Sequence, residues 1–171
     1  ESNPTLEGVL VAIDFNKKEK ISDSKLRDLI SHFNKYRLRN IDFENIDIMG
    51  TAYEYLIKMF ADSAGKKGGE FYTPSEVVNL IVNLIKPKKG MRIYDPTCGS
   101  GGMLIQSRNY LIENGEDPRN ISLFGQETNL STWAICKLNM FLHYVFNADI
   151  KKGNTLTEPK HLKDGEIMTF D

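Results

Sequence analysis

The chain has 171 residues, 40% of them hydrophobic and 26% charged, which is enough to bury a core without disulfide or metal staples. Its 22 lysines and arginines against 23 aspartates and glutamates leave a net charge of −1, which excludes a nucleic-acid binder that works through a bulk basic field, though not one with a local patch. The two cysteines, Cys98 and Cys136, exclude a disulfide-dense secreted scaffold and cannot hold zinc by themselves. His32, His143 and His161 are isolated and match no metal-ligand spacing, so no metal is expected. No apolar run nears the roughly 18 residues of a membrane span. The polar start lacks the apolar segment of a signal peptide. The expectation is a cytoplasmic protein, in which the triplets Asn120-Ile121-Ser122 and Asn129-Leu130-Ser131 are chance matches to a glycosylation pattern.

The first sixty residues predict helices only. Asn3-Pro4 can start one, with Leu6, Val9, Leu10 and Ile13 as its apolar stripe. Ser22 or Asp23 can cap a second that carries Leu26, Leu29, Ile30 and Phe33. A third runs roughly from Ile48 to Ala61, with Tyr53, Leu56, Ile57 and Phe60 on one side. Ala64-Gly65-Lys66-Lys67-Gly68-Gly69 then reads as a basic loop, either a solvated linker or a contact for an anion. Thr73, Pro74 and Glu76 form a capping-box signature for a helix that buries Val77, Leu80, Ile81, Leu84 and Ile85 and ends at Pro87 and Gly90.

From Met91 the period changes. Met91–Tyr94 reads as a strand, followed by a glycine-rich turn and a helix to about Asn114. Ile121–Phe124 is a second strand, Leu130–Phe146 a long helix, and Ala148–Lys151 a third strand. Ile167–Phe170 looks like the start of a fourth. Strands alternating with helices imply an α/β layer with an open parallel sheet and right-handed crossovers. The expected organisation is a helical region over 1–64 and an α/β unit over 65–171.

The turn Asp95-Pro96-Thr97-Cys98-Gly99-Ser100-Gly101-Gly102 follows a strand and opens a helix, where an open α/β sheet binds its ligands. A phosphate-binding loop needs Gly-Lys-Ser/Thr at its end, and Gly102 is followed here by Met103-Leu104. A dinucleotide fingerprint needs a small residue where Leu104 stands. Neither fits. An acidic strand end before Cys-Gly-Ser-Gly-Gly instead suits a zwitterionic amino-acid tail, with Asp95 facing the cationic end and the glycine amides facing polar groups. Gly125-Gln126-Glu127 ends the next strand, where Glu127 can accept from both hydroxyls of a ribose; the plainer reading is a solvated carboxylate at a helix start. A methionine-like tail and a ribose together describe S-adenosyl-L-methionine.

These segments resemble, in order, the N6-adenine DNA methyltransferases. The resemblance rests on Gly69-Glu70-Phe71-Tyr72-Thr73-Pro74, the Asp95–Gly102 turn and Gly125-Gln126-Glu127. More narrowly, with Gly50-Thr51-Ala52-Tyr53-Glu54-Tyr55-Leu56-Ile57 ahead of them, they are similar to the modification subunits of type I restriction–modification systems. The likeness covers roughly residues 48 to 171. It implies the first half of a Rossmann-like methyltransferase domain, an S-adenosyl-L-methionine cofactor, and partners in double-stranded DNA, a specificity subunit and a restriction subunit. It implies that Phe71, Tyr72, Thr73 and Pro74 hold the methionine end. Asp95, Cys98, Gly99, Ser100 and Gly101 line the same pocket, and Glu127 binds the ribose. Gly153-Asn154-Thr155-Leu156 stands where the family places an acidic residue near the adenine ring; the amide of Asn154 replaces it here, beside Thr155 and Leu156.

Adenine's exocyclic amine is a weak nucleophile and lies inside the duplex, so the base must be extruded and the amine aligned with the methyl group. The family does this with an Asn/Asp-Pro-Pro-aromatic motif, which this sequence lacks. The expectation is that the motif lies beyond Asp171, that no catalytic residue is present, and that the chain alone is inactive. Cys98 is read as a free thiol, not a nucleophile. Trp133, Met140, Phe141 and Tyr144 are read as core, and His143 as a packed or surface residue. Two other functions stay open: a non-catalytic assembly module, and a methyltransferase acting on protein glutamine or RNA.

Overall fold

The computed structural model describes residues 6–9, 19, 21–37, 39, 42, 48–65 and 71–171. Most of the first expected helix and most of the basic loop lie outside them; Leu6–Val9 form a single turn with Val9 buried. α1 (Asp23–Phe33) starts where expected, with the Ser22 hydroxyl accepting from Lys25 N at 3.4 Å. It buries none of its residues: Leu29, Ile30 and Phe33 are all more than half exposed. α2 (Ile48–Ala64) packs on α5 (Leu130–Leu142) through Ile57 and Ala61, while Leu56 and Phe60, expected on the same side, stay exposed.

α3 (Ser75–Ile85) departs from its sequence signature in two ways. Pro74 takes the cap position and the Thr73–Glu76 box does not form; Glu76 accepts instead from the Ser75 hydroxyl at 3.3 Å. The buried face is Val78 and Val82, against α4 (Gly102–Glu113), whereas Val77, Leu80, Leu84 and Ile85 face outward. The seven apolar residues of α3 cover one broad face opposite Ser75, Glu76, Asn79 and Asn83, and a face that wide does not announce which edge of it is the inner one. Lys86 ends it in the left-handed conformation before Pro87.

The sheet is parallel, in the order β1 (Arg92–Asp95), β2 (Ser122–Glu127), β3 (Asp149–Lys152), with α4 and α5 as the crossovers. This is the expected α/β architecture. Period-two alternation gives the sheet two different faces. On one, Ile93, Leu123 and Ile150 meet Leu104, Ile105, Leu111, Cys136 and Met140 in the main core. On the other, Tyr94 and Phe124 pack with buried His161 and with Phe170. α5 ends at Leu142, four residues early, because Tyr144 turns left-handed at φ 58; that places Tyr144 outside the core, 44% exposed.

The expected fourth strand is replaced by a hairpin. β4 (Leu162–Lys163) and β5 (Glu166–Ile167) pair antiparallel. Asp164-Gly165 between them has φ 54 and 86, the two-residue turn that an Asp-Gly pair favours. The chain then reaches the free edge of β1, where Asp171 N donates to Arg92 O at 3.0 Å and Arg92 N donates to the Asp171 carboxylate at 2.9 Å.

Candidate functional site

The turn after β1 is held from four directions. Cys98 N donates to Gln126 O at 3.0 Å and Gly99 N to Glu127 Oε2 at 3.1 Å, tying it to the end of β2. Ser100 N donates to Phe71 O at 3.0 Å, tying it to the segment ahead of α3. Asn139 Nδ2 of α5 donates to Ser100 O at 3.0 Å. Gly101 N closes the turn on Cys98 O at 2.7 Å. Residues 28 to 39 positions apart thus meet on four backbone groups of the three residues Cys98, Gly99 and Ser100.

Glycine is required at two places here. A Cβ on Gly99 (φ 53) would lie 2.8 Å from Phe71 O. One on Gly101 (φ 86) would lie 2.5 Å from Met140 Cε and 2.9 Å from Cys136 Sγ. The glycines therefore serve close packing and left-handed backbone. They do not present a row of free amides, as the sequence suggested: the Gly99, Ser100 and Gly101 N–H groups are all spent inside the protein. The N–H groups of Gly102 and Met103, in the first turn of α4, have no partner among the described residues.

A cavity of about 370 Å³ opens beside this turn. Phe71, Tyr72, Thr73, Asp95, Cys98, Gly99 and Ser100 line it, as do Gly102 and Met103. Its wall also takes Glu54 and Ile57 from α2, Val78 and Asn79 from α3, Gln106 and Asn109 from α4, and Asn139. Asn79, Gln106, Asn109 and Asn139 were missed from sequence because each sits on a helix face that lacks a motif of its own, and Glu54 lies in the Gly50–Ile57 segment, which was given no site role. Pro74, Gly101, Glu127, Asn154, Thr155 and Leu156 are not on the wall.

Asp95 accepts from Thr97 N at 3.0 Å. Burial pushes its carboxyl up from the ordinary 3.8; the Thr97 N–H opposes this and the nearby Glu127 charge adds to it. Glu127 is buried, its Oε1 accepting from Asn129 N at 2.8 Å and its Oε2 from Gly99 N. Each oxygen keeps a lone pair. At the tip of β3, Asn154 accepts from Leu156 N at 2.9 Å and caps that turn. Thr155 donates to Pro96 O, tying this turn to the one after β1, and Leu156 projects almost fully into solvent at 93% exposure. Cys98 Sγ lies 3.8 Å from Cys136 Sγ, both buried and both free. The hydrogen bond to Cys136 and burial push the Cys98 thiol up, away from the thiolate form that a nucleophile needs.

The model of the N-6 DNA Methylase family matches residues 44–171. The chain belongs to that family. The type I restriction enzyme HindI methylase subunit of Haemophilus influenzae is 33% identical over 95% of the chain and 38% of its own length. The MjaVII methylase subunit of Methanocaldococcus jannaschii is 41% identical over 79% of the chain and 23% of its own length. Among solved structures, the type I restriction-modification system methyltransferase subunit of Streptococcus thermophilus superposes with a TM-score of 0.77 at 28% identity, over 95% of the chain and 35% of that protein. The chain thus spans about a quarter to two fifths of the length of these relatives. Among the described residues, no helix is long and apolar enough to cross a membrane and no cluster could hold a metal ion.

Proposed function

We propose that this chain is the cofactor-binding part of a site-specific, adenine-specific DNA N6-methyltransferase, the modification subunit of a type I restriction–modification system. The observation that carries the proposal is the docking of Phe71 on the glycine turn, which joins two of the sequence segments at one cavity whose other polar groups suit an amino-acid tail. The open N–H groups of Gly102 and Met103 suit the carboxylate of S-adenosyl-L-methionine, and Asp95 suits its cationic groups. That cofactor supplies an electrophilic methyl group on a sulfonium. On this reading Phe71 to Pro74 and the Cys98–Gly101 turn hold the methionine end. Glu127 receives the ribose hydroxyls on its spare lone pairs, and Asn154, Thr155 and the exposed Leu156 flank the adenine ring.

The division into a helical region over 1–64 and a methyltransferase unit over 65–171 belongs to the same proposal. So do the partners: double-stranded DNA, the specificity subunit and the restriction subunit, with the cytoplasm as the place of action. No Asn/Asp-Pro-Pro-aromatic motif occurs in the chain, so none of its residues is given a catalytic role. The names of the relatives favour this reading over an assembly module or a protein-glutamine or RNA methyltransferase. The test is transfer of tritium from methyl-labelled S-adenosylmethionine to duplex DNA by the full-length protein with a specificity subunit. Label is expected in N6-methyladenine, with a strong loss in Glu127→Ala. Label in another base or in protein, or none from a protein that binds the cofactor, would overturn the proposal.

A further inference from the structure

Asn139 is 1% exposed and borders the cavity, yet it belongs to none of the segments that the cofactor reading uses. Its Nδ2 donates to Ser100 O, and its Oδ1 has no hydrogen-bond partner. Only this orientation of the amide gives Ser100 O a donor. A buried polar side chain that leaves one of its own atoms unmet costs stability relative to an apolar one. Its return must come from the group it holds.

That group is the peptide between Ser100 and Gly101. Ser100 stands between two glycines in left-handed backbone, at φ 53 and 86; this peptide adjoins Gly101 directly and follows Gly99 by one residue, so little in the local backbone resists its rotation. Both of its polar atoms are engaged: Ser100 O on Asn139 and Gly101 N on Cys98 O. The next two N–H groups are those of Gly102 and Met103, which are open to the cavity. We propose that Asn139 is a positioning residue for cofactor binding: by fixing the Ser100–Gly101 peptide it sets the direction of the first turn of α4. The inference rests on the cofactor reading of the cavity, and the role assigned to Asn139 is exerted through Ser100.

The test compares amide hydrogen exchange and S-adenosylmethionine affinity in the chain and its Asn139→Asp variant. Aspartate matches asparagine in size but offers no donor when ionised; protonated, it donates again. At about pH 8 the hydrogen-bonded Gly99, Ser100 and Gly101 amides of N139D are expected to lose roughly ten-fold in protection, while Leu123 and Ile150 in the sheet keep theirs. Protection returns as the pH falls towards about 5, where a buried carboxyl takes up a proton. Affinity follows the same profile. Should N139D not fold, N139A removes the donor without burying a charge and is expected to show the same loop-confined loss at every pH. Unchanged loop protection, or equal loss in loop and sheet, overturns the inference. A wild-type chain that binds no cofactor removes the cofactor reading instead, and loop exchange alone then decides whether Asn139 positions the turn.

Discussion

Gly101 and Asp95 carry opposite kinds of constraint within seven residues. Gly101 is fixed by shape: its φ of 86 and the 2.5 Å approach to Met140 leave no room for a methyl group. Gly101→Ala should cost about 2 kcal/mol or more in a denaturant titration, since strained backbone and overpacking act together. Asp95 is constrained by charge. Its carboxyl pKa is raised in the fold by burial, so the folded state holds the proton more tightly than the unfolded chain does. The stability from this group is therefore greatest below about pH 4 and falls as pH rises through the raised pKa. Asp95→Asn should flatten that fall and make the protein more stable than wild type at pH 7, while weakening S-adenosylmethionine binding; unfolding curves at several pH values check the first part and titration calorimetry the second. A purely structural Asp95 would not gain stability and lose ligand together. The sequence shows that both residues sit at a strand tip. It does not show that the Gly99 and Ser100 amides are already spent, because their acceptors, Glu127 and Phe71 O, lie 28 and 29 residues away in other parts of the chain.

Among the elements, α3 shows most clearly where sequence reasoning stops. Its existence, its start within a residue and its end at Lys86-Pro87 follow from local chemistry. Its buried face does not, because the apolar face is wider than the stripe that α4 covers, and α4 takes only the edge with Val78 and Val82. Val82, at 1% exposure, should cost on the order of 2 kcal/mol when cut to alanine, and Leu84, at 73% exposure, less than about 0.5 kcal/mol; thermal melts of the two variants compare them directly. Equal costs would mean that α3 is rotated from its position here. The hairpin at Asp164-Gly165 is the reverse case. The Asp-Gly dipeptide went unread as a turn, because the short strands beside it, two residues each, lack any alternation long enough to read. Buried Gln126 was legible only as part of a motif; in the fold its Nε2 donates to Glu158 O at 2.8 Å and its Oε1 accepts from Lys160 N at 3.0 Å, pinning the approach to that hairpin against the sheet.

For the molecule as a whole, the alternation of strands and helices after Met91 was enough to fix a parallel α/β layer, and the structure adds its order and its two unlike faces. The helical part was legible as helices but not as packing: α2 docks by Ile57 and Ala61 and leaves Tyr55, Leu56, Met59 and Phe60 outward, while α1 buries nothing. The cavity lies where α2, α3 and the ends of the sheet meet, so it could not be assembled from any one segment. The central claim is that this cavity and the adjoining strand tips receive S-adenosylmethionine. Titration of the isotope-labelled chain with S-adenosylmethionine, followed by backbone NMR, tests it most directly. The account predicts saturable shifts at Phe71–Thr73, Asp95, Gly99–Met103 and Glu127, with the Gly102 and Met103 amides moving as they gain an acceptor. Shifts confined to other surfaces, or saturation without movement at Gly102 and Met103, would contradict it.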